Sequence, residues 1–335
     1  MKPVTHRPLA LSRIALAALS ALVLSTAACG PAAPPVAPPV NPALAIDADP
    51  LSLFPAGAIA LASLDVRAFY ASGSTGGQLA SFGEGVLPVG QEVGMSVSRD
   101  VDHIFIGVYA SGGVDAVAVA SGRFDIPRLQ AAVAAHVTTK TGAAWVAFPY
   151  AGRTLYTVSN VAFAPVTDHT MVSGSESAVR RVLDRLAIPS PQARPRELAD
   201  WMIGTVAAQG SAFAIAADIA SIPPQALHGL PMPTAMNGLS RAAVIGDFNP
   251  PGLNVASTLT YADPERAAAG GNSIRQLAAF VNMAAAMGAA PKVQNLSITP
   301  EGVNVAVKFA LDDEAIRKSM ASVIKLATGS TAPPR

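Results

Sequence analysis

One cysteine and five histidines are the groups in this 335-residue sequence best suited to metal binding, nucleophilic attack or proton transfer near neutral pH. His103, His136, His169 and His228 lie beyond the N-terminal segment. No two of them share a metal-ligand spacing such as His-x-x-x-His, and a lone cysteine cannot complete a zinc set. His103 stands beside Asp100 and Asp102, the composition of a base with an orienting carboxylate, and Asp168-His169 is a second such pair. Each is better read as a turn or strand-end residue. Ser173-Gly174-Ser175-Glu176 lacks the Gly-x-Ser-x-Gly elbow of a serine hydrolase, and Ser175 followed by Glu176 suits a helix cap. Gly73-Ser74-Thr75-Gly76-Gly77 and Gly83-Glu84-Gly85 have neither a dinucleotide nor a phosphate-loop spacing and read as connections. Asp47-Ala48-Asp49 offers two carboxylates to a cation, although in an extended segment they read as solvated groups. These residues give no catalytic, cofactor-binding or metal-binding assignment.

The start of the chain carries a clearer message. Lys2, Arg7 and Arg13, with no acidic residue, precede an apolar run over residues 14–28, a secretory signal too short to span a bilayer comfortably. The run ends in Leu24-Ser25-Thr26-Ala27-Ala28-Cys29-Gly30, which resembles the lipobox of bacterial lipoproteins, with Thr26 where that family usually has Leu. The resemblance implies cleavage before Cys29, lipidation of Cys29 with palmitate, and export to the periplasmic side. Gly30, where an Asp would retain the protein in the inner membrane, implies the outer membrane. Residues 1–28 are thus a signal peptide and residues 29–50 a tether. The run Gly30-Pro31-Ala32-Ala33-Pro34-Pro35-Val36-Ala37-Pro38-Pro39-Val40-Asn41-Pro42 favours polyproline II and would span about 40 Å.

Removing residues 1–28 takes away three basic residues and no acidic ones, leaving 20 Lys+Arg against 22 Asp+Glu. A body of net charge −2 has no electrostatic footprint for nucleic acid. Hydrophobic residues make up 51% of the chain, an excess that is largely alanine. No later segment reaches the roughly 20 apolar residues of a membrane helix. The nearest, residues 277–290, is interrupted by Asn282 and Gly288 and reads as a buried helix.

The elements that would position any site occur twice. Strands over 58–66 and 212–219 both close with Asp and a β-branched residue. Runs 101–110 and 114–121, then 242–248 and 253–261, read as hairpins joined by Ser111-Gly112-Gly113 and Asn249-Pro250-Pro251-Gly252. Helices open at Asp125 and at Asp263-Pro264. Further strands follow, including 303–310, and each half ends on a second helix near Ser175 or Asp312. Those last helices place Val179, Val182, Leu183 and Leu186, or Ile316, Met320, Val323, Ile324 and Ala327, on one face. Arg180, Arg181 and Arg185, or Arg317, Lys318 and Lys325, look away, towards solvent, a partner or lipid headgroups. The expected fold is α+β: antiparallel sheet with helices packed on one face, in two related copies over 51–190 and 191–328. The junction falls in 184–200, and 329–335 forms a disordered tail. Whether the copies share a sheet is open in the sequence.

The primary functional expectation is a lipid-anchored envelope protein with a non-catalytic binding or scaffolding role. A carrier of an apolar ligand or lipid is one alternative, and an envelope hydrolase using an Asp–His pair around His103 is another. The expected partners are the membrane, through lipid on Cys29, and an envelope protein or apolar ligand. No cofactor or nucleic acid is implied.

Overall fold

Alternating apolar residues need hydrogen-bonded neighbours along both strand edges, and the chain meets this with one antiparallel sheet. The computed structural model describes residues 42–72, 90–110, 115–139, 142–188, 196–222, 236–250, 252–287 and 292–313, all within one unit that begins at Pro42. The strands are β1 (Ala58–Asp65), β2 (Val101–Tyr109), β3 (Asp115–Gly122), β4 (Val146–Tyr150), β5 (Arg153–Val158) and β6 (Val161–Pro165). They continue with β7 (Thr170–Gly174), β8 (Phe213–Asp218), β9 (Leu239–Asp247), β10 (Gly252–Tyr261), β11 (Val293–Glu301) and β12 (Asn304–Asp312). Their spatial order is β11-β12-β10-β9-β8-β1-β2-β3-β7-β6-β5-β4.

The pairing of β1 with β8, Leu61 opposite Ala216, joins the two halves into a single sheet. Outward from that seam the halves mirror each other. β8, β9 and β10 stand as β1, β2 and β3 do, and β12 and β11 take the places of β7 and β6. Strands β4 and β5 have no counterpart among the described residues.

The helices are α1 (Pro42–Ala48), α2 (Val66–Ala71), α3 (Val97–Asp100), α4 (Ile126–Ala134), α5 (Glu176–Leu186), α6 (Asp200–Val206) and α7 (Pro264–Ala286). The α+β class and antiparallel sheet are as the sequence implies, but the helices divide between both faces of the sheet. On the first face, α5 and α6 close over Leu61, Val117, Val119 and Val172. On the second, α4 covers Val101, Tyr156, Phe163 and Met171, and α7 covers Leu259, Val305 and Val307. The reason lies in β2 and β3: Ile104-Phe105-Ile106 and Val117-Ala118-Val119 are apolar on both sides, so each side needs cover.

Local chemistry repeats between the halves. Asp125 Oδ1 accepts from Arg128 N at 3.0 Å to start α4, and Asp263 Oδ1 accepts from Arg266 N at 2.8 Å to start α7. Gly94 and Gly238, at φ +78° and +77°, each lie under the arginine side chain of that first turn, Arg128 and Arg266, where a Cβ would clash. Ser175 caps α5 by accepting from Ala178 N.

Asp125 to Ser175 and Asp263 to Asp312 are almost equally far apart in sequence, and that spacing hides a difference. In the first, the stretch after Asp125 makes a 9-residue helix and four strands. In the second, the stretch after Asp263 makes a 23-residue helix and two strands.

The body also begins earlier than the composition suggests. Pro42–Ala48 is helical, Ile46 is buried, and the 3-10 turn Pro50–Leu53 buries Leu51 and Leu53 with Phe54 in the main core. The tether of 29–50 therefore loses its last nine residues to the fold. Pro42 opens that helix instead of extending the spacer, and a proline suits the first helical turn.

Candidate functional site

Strand β2 delivers His103, but not to the carboxylates beside it in sequence. Asp100 accepts from Ser96 N at 2.7 Å and pairs with Arg99, while Asp102 pairs with Arg67. The Arg99 guanidinium and Ser96 N–H hold the Asp100 carboxyl below its ordinary range against the opposing effect of its partial burial. The Asp–His pair expected for a hydrolase does not form. His103 lies opposite Asp65 on β1, with its ring 4.5 Å from that of Phe105. Burial holds its pKa below the ordinary histidine value, against the pull of the Asp65 charge.

A histidine kept neutral in the fold binds a proton more readily in the unfolded chain, so stability is full above its unfolded pKa and is lost as pH falls. The thermal midpoint is expected to drop as pH falls below about 6.5, the ordinary histidine value. His103→Gln should flatten that descent between about pH 7 and about pH 5.5. An unaltered profile in the variant would assign the descent to other groups.

His169 is exposed, and its Nδ1 lies 2.8 Å from Gly122 O at a strand end. Among the described residues no three His, Cys, Asp or Glu side chains gather for a metal. Cys29, His228 and the two glycine-rich connections lie outside the described residues.

The basic face of α5 is not a solvated one. Arg181 reaches the buried Asp115 at 2.7 Å and lies over the Tyr109 ring, 4.7 Å from its centroid. Asp115 also accepts from the Ser175 and Ser177 hydroxyls. Arg185 is buried, paired with Glu197 at 2.7 Å and donating to Ser52 O at 3.2 Å. Arg180 pairs with Glu176 and lies 4.3 Å from the Tyr150 ring centroid. These cations tie α5 to the sheet and to the 3-10 turn, which corrects the expectation of an outward-looking basic surface. Their counterparts Arg317, Lys318 and Lys325 lie outside the described residues. The carboxylates of Asp47 and Asp49 are likewise absorbed by the fold. Asp47 accepts from Thr167 at 2.5 Å and Thr170 at 2.7 Å, and Asp49 pairs with Arg196 at 2.8 Å.

What the structure offers to other molecules is apolar. Helix α7 lies on the sheet along its first half, where Ala267, Gly270 and Gly271 are buried, Gly270 against the Tyr261 ring. Beyond Ile274 it presents Leu277, Phe280, Met283 and, at its C-cap, Met287, which are 49%, 62%, 56% and 71% exposed. At 100° per residue these four fall within roughly 120° of the helix circumference. The expected buried helix over 277–290 is thus corrected: small residues bury the first half of α7, whereas the large apolar residues face outward. Among the described residues no helix is long and apolar enough to cross a membrane.

A second apolar feature lies on the first face of the second half. Ala243, Ile245, Ala256, Thr258, Ala306 and Lys308 floor an open trough of about 380 Å³, walled by Trp201, Thr205 and Ala208. Ile245 is 37% exposed there. Sequence patterning missed both features, because neither residue type nor period says which face of an element is left without a neighbour.

The fold and its surfaces define an α+β protein of two topologically related halves sharing one sheet, clad by helices on both sides. No family model and no curated protein matches the chain. Its structure is similar to crystal form III of TP0453, at a TM-score of 0.49 and 11% identity over 81% of this chain and 97% of that one. It is similar to crystal form I of TP0453 at 0.49 and 12%, over 82% and 97%.

Proposed function

We propose that this chain is a lipid-anchored envelope protein with a binding or scaffolding role, working by contact and not by catalysis. The observation that carries the reading is the stripe Leu277, Phe280, Met283 and Met287. Large contiguous apolar side chains on a surface mark a place where something docks. Their spacing is that of a helix presented to a groove, and two methionines give it adaptable contacts.

The partner that fits is an envelope protein with an apolar groove. From Gln276 to Met287 the helix has no charged residue, so it lacks the lysines and arginines by which interfacial helices hold a lipid surface. The anchor is Cys29, which rests on the lipobox resemblance and on the absence of any other cysteine.

The test uses the full chain in its native envelope. Leu277→Ser combined with Phe280→Ser is expected to abolish an in-cell cross-link placed at Met287 while leaving the thermal midpoint unchanged. Cys29→Ser is expected to abolish palmitate labelling. A stripe that instead holds the unlipidated chain on neutral phospholipid vesicles would replace the protein partner by a bilayer. Palmitate incorporation that survives Cys29→Ser would remove the anchor.

A further inference from the structure

The trough on the first face is apolar at its centre and polar towards its ends. A second hollow of about 300 Å³ shares Trp201, Thr205, Ala243 and Thr258 with it and adds Arg241, Thr260 and Asn304. The cross-strand register fixes the layout. Arg241, Thr260 and Asn304 form one row over β9, β10 and β12, and Ile245, Ala256 and Lys308 form a row four residues further on. Arg241 and Lys308 thus stand at opposite corners, with Cα atoms about 17 Å apart at the usual strand spacings.

Four donor groups in this trough are unspent. Lys308 and Thr258, both exposed, make no side-chain hydrogen bond or ion pair among the described residues. Asn304 accepts from Thr260 at 2.8 Å through Oδ1, and its amide N–H groups donate to nothing among the described residues. Arg241 lies 5.3 Å from the Trp201 ring centroid and pairs with no described carboxylate, while Asp218, opposite it on β8, accepts from Ser221 at 3.0 Å. The cations of α5, by contrast, are paired. No Asp or Glu is among the residues lining these two hollows.

We infer that this trough binds an acidic polysaccharide chain. Its cations and free donors call for a ligand that is negative and rich in acceptor oxygens along its length. The floor selects sugar over peptide. Ala243, Ala256 and Ala306 leave it flat, without the pockets that the anchoring side chains of a peptide fill. The C–H faces of sugar rings lie flat on such residues and against an indole such as Trp201, while Thr258 and Asn304 meet ring hydroxyls. The site is on the sheet face opposite the α7 stripe, so it stands independently of the protein docking proposed there.

The test uses the full-length chain with Trp145→Phe, which leaves Trp201 as the only tryptophan. Tetragalacturonate is expected to change Trp201 fluorescence saturably, and its uncharged methyl ester to bind about tenfold more weakly. Lys308→Ala and Arg241→Ala are each expected to weaken binding about fivefold, and Thr258→Val severalfold. The thermal midpoints of the Lys308 and Thr258 variants should not change, because both side chains are exposed. Binding should also weaken as salt rises. An equally strong response to tetraglutamate would assign the trough to an acidic peptide and overturn the inference. So would the absence of any response to tetragalacturonate, or a response that the Lys308 and Arg241 substitutions leave unaltered. The cross-link at Met287 reads the stripe and not the trough, so the two proposals fail separately.

Discussion

Phe54→Ala is expected to destabilise the protein by about 3–5 kcal/mol, the usual cost of emptying a fully buried phenylalanine site. Phe54 is 0% exposed, and its ring occupies the space where a Cβ on Gly107 of β2 would lie. The surrounding turn cannot relax to fill the void, because it is fixed at several points. Tyr109 Oη donates to Pro55 O at 3.1 Å, Arg185 donates to Ser52 O at 3.2 Å, and Ala56 N donates to Glu197 Oε2 at 3.1 Å. At roughly 2–4 °C per kcal/mol for a body of this size, the thermal midpoint should fall by about 6–20 °C. Urea titration gives the free energy directly. A loss under about 1 kcal/mol would mean that 42–57 is an adjunct of the fold and not part of its core.

That segment shows where the sequence is legible and where it is not. Strands β1, β2, β3, β9 and β10 announce themselves by apolar runs between turn residues, and Asp125 and Asp263 announce the helices they cap. These are local signals, carried by residues within a few positions of one another. Leu51, Leu53 and Phe54 have no period of their own. They look like the end of a proline-rich tether until the chain is seen to return beneath them as β2 and α5, about 50 and more than 120 residues later.

The same limit applies to α7. Residues 277–290 are apolar enough to be core, yet Leu277, Phe280, Met283 and Met287 are exposed. It also applies to His103, whose sequence neighbours Asp100 and Asp102 are taken by Arg99 and Arg67. The histidine meets Asp65 instead, from a strand almost 40 residues earlier. Caps and hairpins are written in neighbours, whereas partners of charged and apolar surfaces are set by the sheet order.

Asp115 is the sharpest instance, and its removal should be costly. Asp115→Ala is expected to destabilise by about 2–3 kcal/mol, less than the roughly 3–5 kcal/mol for breaking a fully buried pair, because the Arg181 side chain is 33% exposed and regains some water. Asp115 is 8% exposed at the start of β3, and its carboxylate gathers Arg181, Ser175 and Ser177. It therefore orients Ser175, whose hydroxyl also caps α5. A double-mutant cycle with Arg181→Met isolates the ionic part and should return a coupling of about 1–2 kcal/mol. Coupling near zero would mean that Arg181 is solvated, as its place on a helix face suggests from sequence alone. With the coupling present, the cations of α5 are committed to holding the helix on the sheet. The docking proposed above is then left to the apolar stripe of α7, whose large side chains are exposed.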